Sequence, residues 1–205
     1  VLNMLMLNLP VEKIGGEMYE LLTMANRTTE DVFSLLDNLL KWTKSQIGNL
    51  NVVYQDVDAV EVVDSVIDVF NMVAGLKKIT IREEKPEKLP VCTDIDMLKT
   101  IIRNLLSNAI KFSNENSEVL VKMEEQGDTV VVSVKDSGCG IDEEGQKKLL
   151  HTDTHFSTFG TNNEEGSGLG LLLCQDFAVK NGGKLWFTSK KGEGSTFYFS
   201  IPLKK

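Results

Sequence analysis

Asn104, Asn108 and Lys111 recur at i, i+4 and i+7, a spacing that sets two carboxamides and one ammonium group on a single helix face. Carboxamide oxygens are hard ligands able to complete the shell of a Mg2+ ion otherwise held by water and phosphate oxygens, and the ammonium can neutralise phosphate. Taken alone, such a stripe reads equally as a solvated helix face. A second group, Asp136-Ser137-Gly138-Cys139-Gly140-Ile141, follows directly on an apolar run. Glycines at a strand end let a ligand approach the backbone, and a carboxylate there can accept a hydrogen bond from an exocyclic amine such as that of adenine. The alternative is an ordinary turn. The third group, Gly166-Ser167-Gly168-Leu169-Gly170-Leu171, leads straight into an apolar helical pattern. Backbone N–H groups at a helix N-terminus form an anion site suited to phosphate. Neither a βαβ unit with a following acidic residue nor the G-x-x-x-x-G-K-[ST] pattern accompanies it, which sets aside dinucleotide-fold and P-loop readings.

Positioning these groups falls to the elements around them. Residues 94–112 have a helical period, with Leu98, Ile101, Ile102, Leu105, Leu106 and Ala109 on the stripe opposite the polar one and Asp94 as N-cap. Helices are also predicted over 59–76, 143–150 and 169–180, and strands over 79–83, 119–124, 130–134, 184–189 and 196–201. Gln126-Gly127-Asp128 reads as the turn of a hairpin. Between them, residues 152–167 are polar and without apolar period, a length of chain that serves as a functional lid or a disordered loop. The order predicts an α+β fold, a two-layer sandwich with a mixed sheet and helices on one face.

Upstream, Met18, Leu22, Ala25, Thr29, Val32, Leu36, Leu39 and Thr43 alternate by four and three, a heptad-like seam on one long amphipathic helix. The apolar run 1–7, broken at Asn8-Leu9-Pro10, reads as the end of a second helix. Together they predict a truncated helical hairpin over 1–50 that dimerises as a bundle, followed by a domain over 51–205. The start at Val1, inside an apolar helical run, reads as a fragment whose parent continues upstream.

Apolar residues at 41% and charged residues at 25% are ordinary for a globular chain. The net charge of −8 argues against non-specific nucleic-acid binding, which draws on clustered Lys and Arg. Cys92, Cys139 and Cys174 show no C-x-x-C spacing, so neither a zinc site nor a disulfide framework is indicated, and a reducing, cytoplasmic setting is expected. No stretch reaches the roughly 18 uninterrupted apolar residues of a membrane span, so a parent anchored in the inner membrane would be anchored by segments upstream. Asn26-Arg27-Thr28 fits a glycosylation acceptor by coincidence of a short pattern.

The three groups in this order, Asn104-Leu105-Leu106-Ser107-Asn108-Ala109-Ile110-Lys111-Phe112, then Asp136 to Ile141, then Gly166 to Leu171, resemble the ATP-binding superfamily shared by histidine kinases, DNA gyrase, the heat-shock chaperone ATPase and MutL-type proteins. The Asn-Ala-Ile-Lys-Phe run, the Leu-Gly-Leu helix start and Gly192-Glu193-Gly194-Ser195-Thr196-Phe197 look like a bacterial sensor histidine kinase over about residues 56–202. The resemblance implies Mg·ATP as ligand. Asn108 would be the principal Mg2+ ligand, with Asn104 beside it; Lys111 would reach the phosphates, and Phe112 would border the base. Asp136 would select adenine, Gly138 and Gly140 would give the purine room, and Ile141 closes that motif. Ser167, Gly168, Leu169, Gly170 and Leu171 would wrap the phosphates, and Thr196 belongs to the final glycine motif. The stretch 152–166 would correspond to the ATP lid and contains Gly160 and Thr161; its Phe156-Ser157-Thr158-Phe159 departs from the commonest family pattern of two phenylalanines around a proline.

It further implies transfer of the γ-phosphoryl group to a histidine, for relay to the receiver domain of a response regulator. The two histidines, His151 and His155, stand at the start of the lid and read as exposed loop residues, so the acceptor is expected upstream of Val1. Two other readings remain: a regulatory module of the same fold that has lost turnover, and an ATP-gated dimerisation machine of the gyrase kind. The latter would place a Glu where Asn104 stands, to activate water.

Overall fold

The computed structural model describes residues 16–46, 51–149, 160, 161 and 168–203. The predicted helix end at 1–7, the break at 8–10, His151, His155, Ser167 and all of the 152–167 stretch except Gly160 and Thr161 lie outside the described residues. The chain divides into two compact units, Val1–Ile47 and Gly48–Lys205.

The first unit contributes one helix, α1 (Gly16–Gln46). Its heptad positions Met18, Val32, Leu36 and Leu39 are exposed. Asp37 and Lys41 form an i, i+4 ion pair at 2.8 Å, an exposed contact worth only a few tenths of a kcal/mol, about 0.3–0.5.

In the second unit, β1 (Gln55–Asp58) leads into α2 (Ala59–Leu76), β2 (Thr80–Glu84), β3 (Pro90–Thr93) and α3 (Ile95–Phe112). The hairpin β4 (Glu118–Gln126) and β5 (Thr129–Lys135) follows, then α4 (Glu143–Lys148), α5 (Leu169–Lys180), β6 (Leu185–Lys190) and β7 (Gly194–Pro202). Five strands form a sheet in the order β2-β4-β5-β7-β6, parallel between β2 and β4 and antiparallel elsewhere. The sheet is therefore mixed, in the two-layer α+β arrangement that the sequence predicts.

Strand alternation decides which face is covered. Val121, Val134 and Phe197 stand in one row and Met123, Val132 and Phe199 in the next, and all are buried. Against them lies the apolar stripe of α3, with Leu98, Ile101, Ile102, Leu105 and Leu106 each at most 2% exposed. Burial on this scale stabilises by about 1.5–3 kcal/mol per side chain. Asp94 caps α3, Oδ1 accepting from the backbone N–H groups of Asp96 and Met97, both at 3.0 Å. Asp58 caps α2 in the same way, accepting from Val60 at 3.0 Å.

A second, two-stranded sheet pairs β1 with β3, Gln55 opposite Thr93. The sequence pattern did not predict it. It seats the entry to α3, because Val53 N–H also donates to Asp94 Oδ2 at 2.9 Å.

Candidate nucleotide site

Helix α5 runs antiparallel alongside α3, and three contacts fix the register. Gly170 faces Asn104, Cys174 Sγ lies 3.8 Å from the Ile101 carbonyl oxygen, and Asn181 Nδ2 lies 3.5 Å from Met97 Sδ. The N-terminus of α5 is thereby set beside the Asn104 turn of α3. A Cβ added at Gly170 would come within 2.5 Å of Asn104 Oδ1, so with any other residue Asn104 or α5 must give way. Asn104 Nδ2 donates to the Thr100 carbonyl at 2.9 Å, which aims its amide oxygen the other way, toward α5. Asn108, one turn on, is half-buried. Gly168 enters α5 at φ 68° and no side chain caps the helix there. Leu169, Gly170 and Leu171 form the half-buried first turn, where the helix dipole favours an anion.

Asp136 directly follows β5 and is 3% exposed. Its Oδ1 accepts from the N–H groups of Gly138 at 2.9 Å and Ser195 at 3.2 Å. Among the described residues no hydrogen bond reaches Oδ2. Burial pushes the carboxyl pKa up, and the N–H groups of Gly138, Ser195 and Asp136 itself oppose that rise. Among the described residues the carboxylate is therefore held through one oxygen.

The loop after Asp136 is braced from two sides. A Cβ at Gly138 would strike the Phe112 carbonyl, and Cys139 N–H donates to that carbonyl at 3.4 Å. Gly140, at φ 60°, backs onto Lys190. Ile141 N–H donates to Ser189 Oγ at 2.8 Å, while Gln146 Nε2 reaches the carbonyls of Ile141 at 2.7 Å and Ser189 at 3.0 Å. Asp136 is thus seated against the C-terminal end of α3, where Lys111 Nζ lies 5.1 Å from the Phe112 ring centroid. Thr161 joins the same end, its N–H donating to the Lys111 carbonyl at 3.2 Å, with Gly160 half-buried beside it.

The structure therefore gathers Asn104, Asn108, Lys111, Phe112, Asp136, Gly138, Gly160, Thr161, Gly168, Leu169, Gly170 and Leu171 along α3 or at its C-terminal end, while Gly140 and Ile141 continue the Asp136 loop against Lys190 and Ser189. Thr196 is different. It pairs with Lys135 and Thr188 on the ladder, on the opposite sheet face from Ser195 and Phe197. Ser195, its neighbour, is the residue that reaches Asp136, through its N–H and through its carbonyl, which accepts from Asp136 N–H at 2.9 Å. Ser189 and Gln146 were likewise not singled out from sequence. Ser195 had a signal, since it directly follows Gly194; Ser189 and Gln146 had none.

Among the described residues no group of three or more His, Cys, Asp or Glu could hold a metal ion. A divalent cation here would draw on the amide oxygens of Asn104 and Asn108 together with ligand phosphates, a donor set that suits Mg2+.

Comparison with known proteins gives the same direction. Residues 93–205 match the model of the family described as histidine kinase-, DNA gyrase B-, and HSP90-like ATPase. The adaptive-response sensory kinase SasA of Rippkaea orientalis is 30% identical over 171 residues, 82% of this chain and 43% of that protein. The sensor histidine kinase WalK of Bacillus subtilis is 27% identical over 186 residues, 90% of this chain and 30% of that protein. The chain thus spans less than half the length of these relatives. Among solved structures, the catalytic domain of histidine kinase ThkA superposes with a TM-score of 0.64 at 30% identity, covering 74% of this chain and 96% of that one. Full-length ShkA in complex with AMPPNP gives 0.74 at 22% identity over 94% of this chain and 40% of that one, a likeness of fold.

Proposed function

This chain belongs to the histidine kinase-, DNA gyrase B-, and HSP90-like ATPase family, and on that premise we propose that it is the ATP-binding catalytic domain of a sensor histidine kinase. It would bind Mg·ATP along α3 and present the γ-phosphoryl group to a histidine outside this chain. The observation that carries the reading is the pairing of Asp136, buried and held by one oxygen, with the polar stripe of α3 and the N-terminus of α5.

Each residue then has a defined task. Asp136 Oδ2 accepts from the adenine amino group. Asn108 and Asn104 offer amide oxygens to Mg2+, and Lys111 offers charge to the phosphates. The N-terminus of α5 adds its dipole. Phosphoryl transfer depends on such positioning and charge neutralisation, and the nucleophile can be supplied by another module.

The partners follow as part of the same proposal. Helix α1, with Val32, Leu36 and Leu39 exposed, would pair with a second copy of the chain. Histidine kinase ThkA, a structure similar to this chain, is in complex with response regulator protein TrrA, which supports a receiver domain as the next acceptor. No described helix is long and apolar enough to cross a membrane, and a cytoplasmic setting is part of the reading.

Calorimetric titration of the chain with ATP, with and without Mg2+, on wild type and Asn108→Ala tests this directly. Wild type should bind only weakly without Mg2+. Asn108→Ala should lose most of the Mg2+-dependent gain, roughly tenfold or more if one ligand contact of ordinary strength is removed. Equal affinity with and without the metal would reject the assignment of Asn108.

A further inference from the structure

Lys77 is 8% exposed and stands just past the last turn of α2. Its Nζ does not reach back along its own helix. It donates instead to the carbonyls of Ile110 and Lys111, both at 2.9 Å, and to Thr161 Oγ1 at 2.5 Å. An ammonium group buried this far is tolerated only when its donors are matched, and a positive charge at the C-terminus of α3 also meets the negative end of that helix dipole.

The carbonyls at a helix C-terminus have no partner within the helix, and here four consecutive ones are divided between separate parts of the fold. Ile110 and Lys111 take Lys77, and Lys111 also takes Thr161 N–H. Phe112 takes Cys139 N–H from the Asp136 loop. Ser113 accepts from Thr161 Oγ1 at 2.8 Å. One helix end thus braces both the loop that carries Asp136 and the segment that carries Thr161, with Lys77 at the junction.

We propose that Lys77 is a positioning residue for the nucleotide site: it locks Thr161 to the end of α3, so that Lys111 and Phe112 are held in one register before ATP arrives. This rests on the Mg·ATP reading above and adds a residue to it. Without the lock, the end of α3 is ordered at binding instead of beforehand, so the expected loss of affinity is modest, about three- to tenfold.

The test uses the whole chain in two measurements. The first needs no nucleotide: hydrogen exchange at the Thr161 amide should be slow in wild type and at least about tenfold faster in Lys77→Met and Thr161→Val. The second is Mg·ATP affinity. Each substitution should weaken binding about three- to tenfold, and the double variant should lose clearly less than the sum of the two losses, because the Lys77–Thr161 contact is shared while each side chain also makes contacts of its own. Thr161→Ser, which restores the hydroxyl, should recover most of what Thr161→Val loses. Should Lys77→Met fail to fold, the Thr161→Val and Thr161→Ser pair decides alone. Unchanged exchange at Thr161, unchanged ATP affinity in Thr161→Val, or fully additive losses would each overturn the proposal. Wild-type chain that took no ATP while Thr161 remained protected would instead show that the Mg·ATP reading had failed, and the positioning role would fall with it.

Discussion

Asp94, at the N-terminus of α3, and Asp136, whose loop abuts its C-terminus, are both nearly withdrawn from solvent, at 8% and 3% exposure, yet their oxygens are spent differently. Asp94 commits both: Oδ1 to Asp96 and Met97, Oδ2 to Val53. Around it Asn181 is also matched, Oδ1 accepting from Thr93 Oγ1 at 2.8 Å and Asp94 N–H at 2.9 Å, Nδ2 donating to the Phe177 carbonyl at 2.9 Å. Asp136 commits Oδ1 to two backbone donors, and among the described residues Oδ2 takes none. Close by, Ser113 Oγ is buried and has no hydrogen-bond partner among the described residues. Burial alone does not distinguish the two carboxylates; the use of the second oxygen does.

The sharpest way to break this comparison is to substitute Asp136. Asp136→Asn puts an amide where the adenine amino group needs an acceptor and should lower ATP affinity by roughly 100-fold, the worth of a hydrogen bond to a charged group. Stability should be unchanged or slightly higher, because the variant removes a buried charge. The pH dependence sharpens the point. Burial raises the Asp136 pKa, so its contribution to stability is full below the unfolded-state value and is lost as pH rises through the raised folded-state value. ATP affinity runs the other way and should fall as pH drops through that raised value, since the ionised carboxylate is the better acceptor. Denaturant melts and ATP titrations over this window should therefore slope oppositely in wild type, and Asp136→Asn should lack that component of the stability slope.

Asp94→Ala should do the reverse. It removes an N-cap and strands the Val53 N–H, which together cost about 2 kcal/mol, read as a lower midpoint of urea unfolding. ATP affinity of the folded protein should stay within about twofold, because no atom of the nucleotide site depends on Asp94. A tenfold loss of affinity here would mean that the two ends of α3 are coupled and the contrast between them is wrong.

Much of this contrast was readable in the sequence, for reasons that particular residues make plain. Asp94 announced itself as a cap because it immediately precedes a strong helical period, and α3 ends at Phe112 as that period predicts. The close approaches at the other end were legible because glycines mark places where a side chain would meet its neighbours, as at Gly138 and Gly170. The small β1–β3 sheet was not legible: each strand has four residues, and β1 carries a single apolar residue, Val57, too little for any period. Asn181, one residue past the helix predicted over 169–180, carries no signal of this role in the sequence, although it is the hub of the closed end. Lys77 read as nothing, since its partners are backbone carbonyls 33 and 34 residues away, and a carbonyl leaves no trace in residue type.

Gly170→Ala carries the next largest effect. The new Cβ meets Asn104 Oδ1 at 2.5 Å, so either Asn104 turns away or α5 shifts. Overpacking of this kind costs about 1–3 kcal/mol. If the amide turns, the loss appears mainly in Mg·ATP affinity, about tenfold. Gly183→Ala is the control, because its Cβ would meet the Ser200 carbonyl, away from α3. It should lower the unfolding midpoint and leave ATP affinity of the folded protein alone.

The smallest effects separate two neighbours in one motif. In a strand a one-residue slip moves a side chain to the other face, so Ser195 and Thr196 cannot both serve the site. Ser195 stands with Asp136, and its hydroxyl pairs with Ser189 Oγ at 2.9 Å, which itself receives Ile141 N–H. Ser195→Ala keeps both backbone links to Asp136 and loosens only this side-chain pair, so ATP affinity should fall a few-fold, about what one neutral hydrogen bond is worth. Thr196→Val removes a hydroxyl on the face shared with Lys135 and Thr188 and should leave affinity within experimental error. A larger loss in Thr196→Val than in Ser195→Ala would place the nucleotide on the wrong side of β7 and undo the assignment of Asp136 with it.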